Sequence, residues 1–284
     1  MIYSVRPIYK EKIWGGRRIF DFFHRLADGA DKVGESFEFS LLADSPTPLK
    51  GEAGQGKALK DVFDVPVLIK YIDARENLSV QVHPTAEYVG RHAGVKPKFE
   101  VWYVLEADKG AAIYCGFKRQ TTREEVSKLI RGGGIIDILN RYEVQAGDFL
   151  FCPPGTVHAI GKGVLLCEVQ QQSDTTFRMF DWSRGRELHI KEALDTIDYR
   201  KSEHLIRNYG SLYRFKTDYF DITIVNAEKE SKLLIEDGIA VCVAAAVNAG
   251  GRAFNCGDIV IVSGKEEIKF EKNGVILYVS NFKE

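Results

Sequence analysis

The chain has 284 residues, is 45% hydrophobic, and carries 39 Lys plus Arg against 40 Asp plus Glu. That length supports a proper core in one large or two modest domains. The near-neutral balance argues against nucleic acid or an anionic membrane as main partner, while leaving room for a local basic pocket.

In chain order, residues 5–9 read as a short edge strand because of Pro7, and Trp14-Gly15-Gly16 as a turn bearing an aromatic. Residues 17–26 have helical spacing, 34–40 alternate like a half-buried strand, and Pro46, Pro48, Gly51, Gly54 and Gly56 mark a loop. Residues 65–72 are strand-like, and 79–83 are the next strand. Side chains two apart on a strand share a face, so Ser79, Gln81 and His83 project together with Val80 and Val82 behind them. Pro84 opens a short helix to about 92. Residues 100–105 and 110–117 read as paired strands. Thr121 with Glu124, and Thr122 with Glu125, have capping-box spacing, and a helix to about 130 stops at Gly132-Gly133-Gly134.

Residues 141–145 and 148–152 lead into the Pro153-Pro154-Gly155 turn, and 164–171 and 175–181 are again strand-like. A helical patch at 191–197 precedes a polar connector. The rest is short β segments at 220–227, 239–247, 258–262, 267–270 and 275–280, so the fold class is mainly β, a sandwich or barrel. The longest apolar runs are too short to cross a bilayer. No basic-then-apolar leader is visible, and the five cysteines lack a close pair, so reduced thiols and a cytoplasmic location are expected.

Gly147-Asp148-Phe149-Leu150-Phe151 is echoed by Gly257-Asp258-Ile259-Val260-Ile261. Pro153, Gly155 and His158 come after the first copy, whereas Ser263, Lys265 and Ile268 stand at the same offsets in the second. One metal site, in the N-terminal half, is expected.

Gln81, His83, Glu100 and His158 offer the nitrogen and oxygen donors that zinc and similar ions take. Their context sets them apart from His24, His92, His189 and His204. Gln81 and His83 share a strand face, and His158 ends a Gly-x5-Pro-x-Gly-x2-His run that resembles the second motif of the cupin family. Glu168 and Arg178 flank a polar run, and the residues alone leave open a rim salt bridge or a chemical role.

Taken with Trp14-Gly15-Gly16, Gly34-Glu35-Ser36, Lys98-Phe99-Glu100-Val101-Trp102-Tyr103 and Glu168 to Asp181, the chain resembles the short bacterial type I mannose-6-phosphate isomerases. The pairing of Gln81-Val82-His83-Pro84 with Gln171-Gln172-Ser173-Asp174-Thr175-Thr176-Phe177-Arg178 is its most specific part. The resemblance implies a cupin (double-stranded β-helix) barrel over residues 1–208 and a smaller C-terminal β domain, 209–284, without metal ligands. It implies one zinc ion per chain on His83, Glu100 and His158, with Gln81 at a fourth position. It implies catalytic Arg178, Glu168 and Lys98, substrate contacts from Trp14, Ser79 and Arg184, and a sugar phosphate as the small-molecule partner. Two other readings are weighed: another cupin sugar isomerase or epimerase, and a regulatory cupin that binds a sugar phosphate without turning it over.

Overall fold

The computed structural model describes residues 1–26, 29, 31–51, 56–207 and 209–283. Residues 52–55 of the expected loop, and residue 208 at the expected domain boundary, lie outside them.

A seven-stranded sheet lies at the centre. Its order is Leu205–Ile206, Phe149–Cys152, Glu100–Ala107, Val164–Gln171, Val67–Ala74, Val33–Phe39 and Ile8–Gly16. All its pairings are antiparallel. Strand Val67–Ala74 is buried from end to end, which explains why its sequence is nearly continuous in apolar residues rather than alternating. Val67, Ile69 and Tyr71 face one apolar cluster, together with Val101, Tyr103, Leu165 and Cys167. Ile72, Trp102, Val104 and Leu166 face another on the opposite side.

That second cluster is closed by a five-stranded sheet ordered Phe177–Phe180, Val80–Val82, His158–Ile160, Ala112–Phe117 and Leu139–Glu143. Ile113, Cys115 and Ile160 point inward. The other face, with Val80, Val82, Ala159 and Met179, is covered by Val126 and Ile130 of helix Arg123–Gly132 and by Ala193 and Leu194 of helix Ile190–Thr196. Two facing antiparallel sheets, with the chain crossing repeatedly between them, make a cupin barrel.

A nine-stranded sheet covers the far side of the central one. Phe220, Ile222, Ile239, Val241, Ile261 and Val279 pack there against the outward residues of the barrel. The C-terminal strands form most of this sheet, but Ile2–Val5 joins it, with Ile2 opposite Val262 and Tyr3 opposite Ile261.

Local readings differ from this fold in several places. Residues 100–105 and 110–117 do not pair: the turn closed by Ala111 N–H donating to the Asp108 carbonyl (2.9 Å) carries the chain from the central sheet to the five-stranded one. Segments 258–262 and 267–270 are one strand, Ile259–Phe270. The expected strand at 5–9 is split between Ile2–Val5 and Ile8–Gly16, and the loop after Pro48 holds a two-residue strand, Leu49–Lys50. The helix expected to open at Pro84 begins two residues later, Ala86–Arg91, with the Thr85 hydroxyl accepting from Tyr88 N–H at 3.2 Å. In the next helix the cap is Thr122, whose hydroxyl accepts from Glu125 N–H at 3.3 Å, and Gly133 ends it at φ 75°.

Candidate active site

His83 comes directly after strand Val80–Val82, and its backbone carbonyl accepts the Gly155 N–H at 2.9 Å. The two His-bearing segments are therefore tied together by backbone. His83 Nδ1 lies 3.0 Å from the Thr175 carbonyl, to which it donates, leaving Nε2 facing inward 3.1 Å from Glu100 Oε1. His158 opens its strand opposite both Gln81 and Cys115. Its Nδ1 is 2.9 Å from the Thr156 carbonyl, and its Nε2 faces the same centre, 3.5 Å from Glu100 Oε2. All three side chains are buried, and their donor atoms lie within 4.8 Å of one another.

This arrangement fits a metal ion. His83 Nε2 and both Glu100 oxygens are buried without a hydrogen bond. Lys98 answers Glu100 Oε1 at 2.8 Å, but among the described residues no cation other than that one lies on His83 Nε2 or Glu100 Oε2, a costly state for polar atoms unless a further cation answers them. Two imidazoles and a carboxylate suit zinc and leave room for a further oxygen. Burial lowers the His83 pKa to about 3, against the opposing pull of Glu100, so the ring is neutral. Burial alone would raise Glu100, but His83 and Lys98 hold it well below the usual carboxylate range. Gln81 turns one amide atom toward His158 Nε2 and the other toward Ser79 Oγ, both at 3.2 Å. Half a turn of the amide aims its oxygen at the centre, with Ser79 Oγ accepting from the nitrogen.

The centre opens into a cleft of about 380 Å³ between the two barrel sheets. Trp14 and Trp102 form walls, and Lys10, Lys12, Lys70, Lys98, Arg178 and Arg186 supply positive charge. Gly34 makes room for Trp14, since a Cβ there would sit 2.5 Å from the indole. Glu168 Oε1 accepts from Trp102 Nε1 at 2.9 Å, and its Oε2 lies 3.3 Å from Lys70 Nζ without a hydrogen bond. Burial, then the nearby Glu100 charge, raises the Glu168 pKa. Lys98 Nζ is 2.8 Å from Glu100 Oε1. Arg178 Nη1 donates to the Glu187 carbonyl at 2.8 Å, while its buried Nε has no partner.

Most of the residues singled out by sequence thus meet at one place: Trp14, Ser79, Gln81, Lys98, Glu100, Glu168 and Arg178 line the cleft, and His83 and His158 are buried beside Glu100. The rim salt bridge between Glu168 and Arg178 does not form; Glu168 faces Lys70 instead. Arg184 is held 2.7 Å from Asp181 and does not line the cleft, whereas Arg186, on the same carboxylate, does. Lys70 and Glu35, 3.5 Å apart, were not singled out by sequence. The available signal was a lysine inside the apolar run 65–72, because a charge in a strand buried on both faces needs a partner. His92 stacks on Tyr88, and His204 is 2.9 Å from Ser202 Oγ.

No protein-family model matches the chain. It is 36% identical over 213 residues to mannose-6-phosphate isomerase ManA of Bacillus subtilis (strain 168), covering 68% of this chain and 67% of that one. It is 33% identical over 245 residues to the probable mannose-6-phosphate isomerase GmuF of the same strain, covering 77% of each. The crystal structure of the mannose 6-phosphate isomerase from Bacillus subtilis superposes with a TM-score of 0.85 at 26% identity, over 99% of both chains. A zinc-bound mannose 6-phosphate isomerase shares the fold, with a TM-score of 0.79 at 14% identity over 99% of this chain and 100% of that one. On this sequence similarity over most of its length, the chain belongs to the mannose-6-phosphate isomerase family.

Proposed function

We propose that the protein is a zinc-dependent aldose–ketose isomerase that interconverts mannose 6-phosphate and fructose 6-phosphate through an enediolate. One observation carries this reading: the buried His83–Glu100–His158 set meets, through Glu100, the same cleft as the Glu168 carboxylate oxygen that faces Lys70 without a hydrogen bond and the guanidinium of Arg178. Held by His83, Glu100 and His158, with Gln81 as a further donor, zinc supplies Lewis acidity for the substrate oxygens.

The remaining work falls to side chains of this chain. Glu168 takes the proton from C2 of the aldose and returns it to C1, while the hydroxyl proton of O2 passes to O1. Trp102 holds one Glu168 oxygen, and the other, which faces Lys70 without a hydrogen bond, makes the transfer. Arg178 places a permanent positive charge beside the enediolate as it forms. Lys98 keeps Glu100 oriented and offers its ammonium to a sugar hydroxyl. Trp14 walls the sugar, and Ser79 steadies Gln81. Arg184 and Arg186 share the Asp181 carboxylate, and Arg186, which lines the cleft, joins Arg184 as a substrate contact.

The reading includes a division into a metal-binding barrel, residues 1–208, and a C-terminal β unit, 209–284, to which the barrel segment lends strand Ile2–Val5. It also includes a cytoplasmic location, which the unpaired state of all five cysteines supports. Among the described residues, no helix is long and apolar enough to cross a membrane.

A coupled assay for fructose 6-phosphate tests the reaction directly. Turnover should vanish with chelator and return with added zinc. A metal-loaded protein inert toward mannose 6-phosphate sinks the substrate assignment, and full turnover in protein shown to be metal-free sinks the metal.

A further inference from the structure

Four of the six cleft cations are already neutralised by carboxylates. Lys12 lies 2.8 Å from Glu35, Lys70 is 3.3 Å from Glu168, Lys98 is 2.8 Å from Glu100, and Arg186 is 2.5 Å from Asp181. Among the described residues, Lys10 and Arg178 are the two without an ion pair. Arg178 stands at the reacting end. Lys10 stands at the other end, on the outermost strand of the central sheet.

The strand register orders the cleft. Lys10 is opposite Glu35, Phe37 is opposite Lys70, and Lys70 is opposite Glu168. Strands are about 4.8 Å apart, so Lys10 begins three strands from the proposed base and leans back toward it over the Phe37 ring. Its Nζ is 5.4 Å from that ring's centroid, and the Lys70 Nζ is 5.1 Å from the same centroid. An open-chain hexose phosphate with its carbonyl end at Glu168 passes Lys70 and carries its phosphate toward Lys10.

Lys10 Nζ donates to Ser45 Oγ at 2.6 Å. A hydroxyl that accepts from an ammonium keeps its own hydrogen to donate, so the pair presents two donors, one of them charged. Ser45 is buried and its N–H donates to the Leu42 carbonyl at 3.0 Å, while Thr47 N–H closes the loop on Ser40 at 3.0 Å. The hydroxyl is therefore preset. Asp44 also lines this end but is exposed and makes no ion pair with Lys10.

We infer that Lys10, together with Ser45, forms the subsite that holds the substrate's phosphate and makes the cleft selective for phosphorylated sugars. This rests on the isomerase reading for the identity of the sugar, but not for the existence of an anion subsite.

The experiment has two arms on the zinc-loaded protein, comparing wild type with Lys10→Met and Ser45→Ala. In the first, Lys10→Met raises the KM for mannose 6-phosphate at least about tenfold with a much smaller change in kcat, since uniform binding is lost rather than transition-state contact. The preference for mannose 6-phosphate over unphosphorylated mannose narrows by the same factor. Ser45→Ala shows a smaller change in the same direction. In the second arm, the affinity for inorganic phosphate is measured by titration without turnover, and Lys10→Met weakens it at least about tenfold. Phosphate binding that depends on Lys10 in a protein inert toward mannose 6-phosphate would uphold the subsite and reject the substrate. An unchanged KM and unchanged phosphate affinity would overturn the subsite. So would an equal loss of kcat/KM for both sugars, because a purely structural role would spare neither.

Discussion

At Gly147-Asp148, and again at Gly257-Asp258, the chain turns in the same way. The glycines take φ of 89° and 91°. Asp148 N–H donates to the Gln145 carbonyl at 3.1 Å, and Asp258 N–H to that of Asn255 at 3.0 Å. Each carboxylate then accepts from the N–H three residues back, at 3.0 Å from Gln145 and 2.7 Å from Asn255. Beyond the turn the two copies diverge. Strand Phe149–Cys152 stops after four residues, and Pro153-Pro154-Gly155 carries the chain to the facing sheet, where His158 points between the sheets. Strand Ile259–Phe270 runs on for twelve residues, and Ile268, at the offset of His158, is buried beside Phe270 and Val247. The turn is scaffold in both copies. The metal ligand depends on the break after it, because a strand that stays in one sheet cannot bring its next residues to the opposite wall of a barrel.

The widest gap between the two copies should appear when the equivalent positions are truncated. His158→Ala is expected to lose bound metal and more than about 100-fold in turnover, exceeding the effect of removing an outer partner of a metal ligand. Ile268→Ala is expected to cost about 2–5 kcal/mol of stability through the cavity it leaves, while the folded protein keeps its metal. Elemental analysis beside denaturant unfolding checks both. Metal retained in the first variant, or lost from the second while it remains folded, would break the contrast. Next in size is Glu168→Gln, which should lower kcat by about 10²–10⁴-fold with metal content unchanged. Turnover near wild type would move the base elsewhere and leave the Gly147 side with ligands alone.

Much of this site could be read locally. Alternation on residues 79–83 set Ser79, Gln81 and His83 on one face, and in the structure Val80 and Val82 indeed pack behind them. The Pro-Gly turn before His158 is likewise a local signal. Glu35, Lys70 and Glu168 could not be assembled in that way. They lie on three neighbouring strands far apart in sequence, and antiparallel order is a long-range property. The same holds for Ile2–Val5, whose partner strand is at the other end of the chain. Arg184 and Arg186 show a further obstacle. Trp182, Ser183 and Gly185 take φ of 51°, 59° and 77°, and a left-handed loop has no period from which to read a side chain's direction. The fold class was legible because strands this short, separated by turn residues, close a core only as a sandwich or barrel.

One glycine from each copy, at different offsets, extends the comparison: Gly155 has no glycine counterpart in the second copy, where Lys265 stands, and Gly257 is the counterpart of Gly147. Gly155 has φ 84°, and a Cβ there would meet the Thr196 carbonyl and Thr85 Cγ2, each at 3.0 Å. Gly155→Ala should cost about 1–2 kcal/mol for the left-handed backbone, and metal affinity should drop about tenfold as the turn that holds the His83 carbonyl shifts. Gly257 has φ 91°, with a Cβ placed 2.7 Å from Phe23 Cδ1 and 3.1 Å from Arg25 Nη2. Gly257→Ala should destabilise at least as much yet leave metal affinity unchanged. Metal titrations and melting curves on the two variants separate the effects, and equal losses of metal affinity would mean that the turns are coupled.

The smallest expected effect is in acid, on the ligand-bearing side. Burial would raise the Glu35 carboxyl, but Lys70 and Lys12 outweigh it and bring the pKa to about 2, from an ordinary 4.5. The unfolded chain therefore takes up this proton before the folded one does. The stabilisation is complete above about pH 4.5, fades as pH falls, and is gone below about 2. In Glu35→Gln there is nothing to protonate, so the variant is less stable than wild type near neutrality and the difference narrows between pH 4.5 and 2. Denaturant unfolding of both proteins across that window measures the gap. Because any acid-driven loss of metal from His83 and His158 is common to both, the narrowing isolates Glu35 and its lysines. Parallel stability curves down to about pH 2 would show that Lys70 gains no stability from Glu35, leaving Glu168 as its working partner in the barrel.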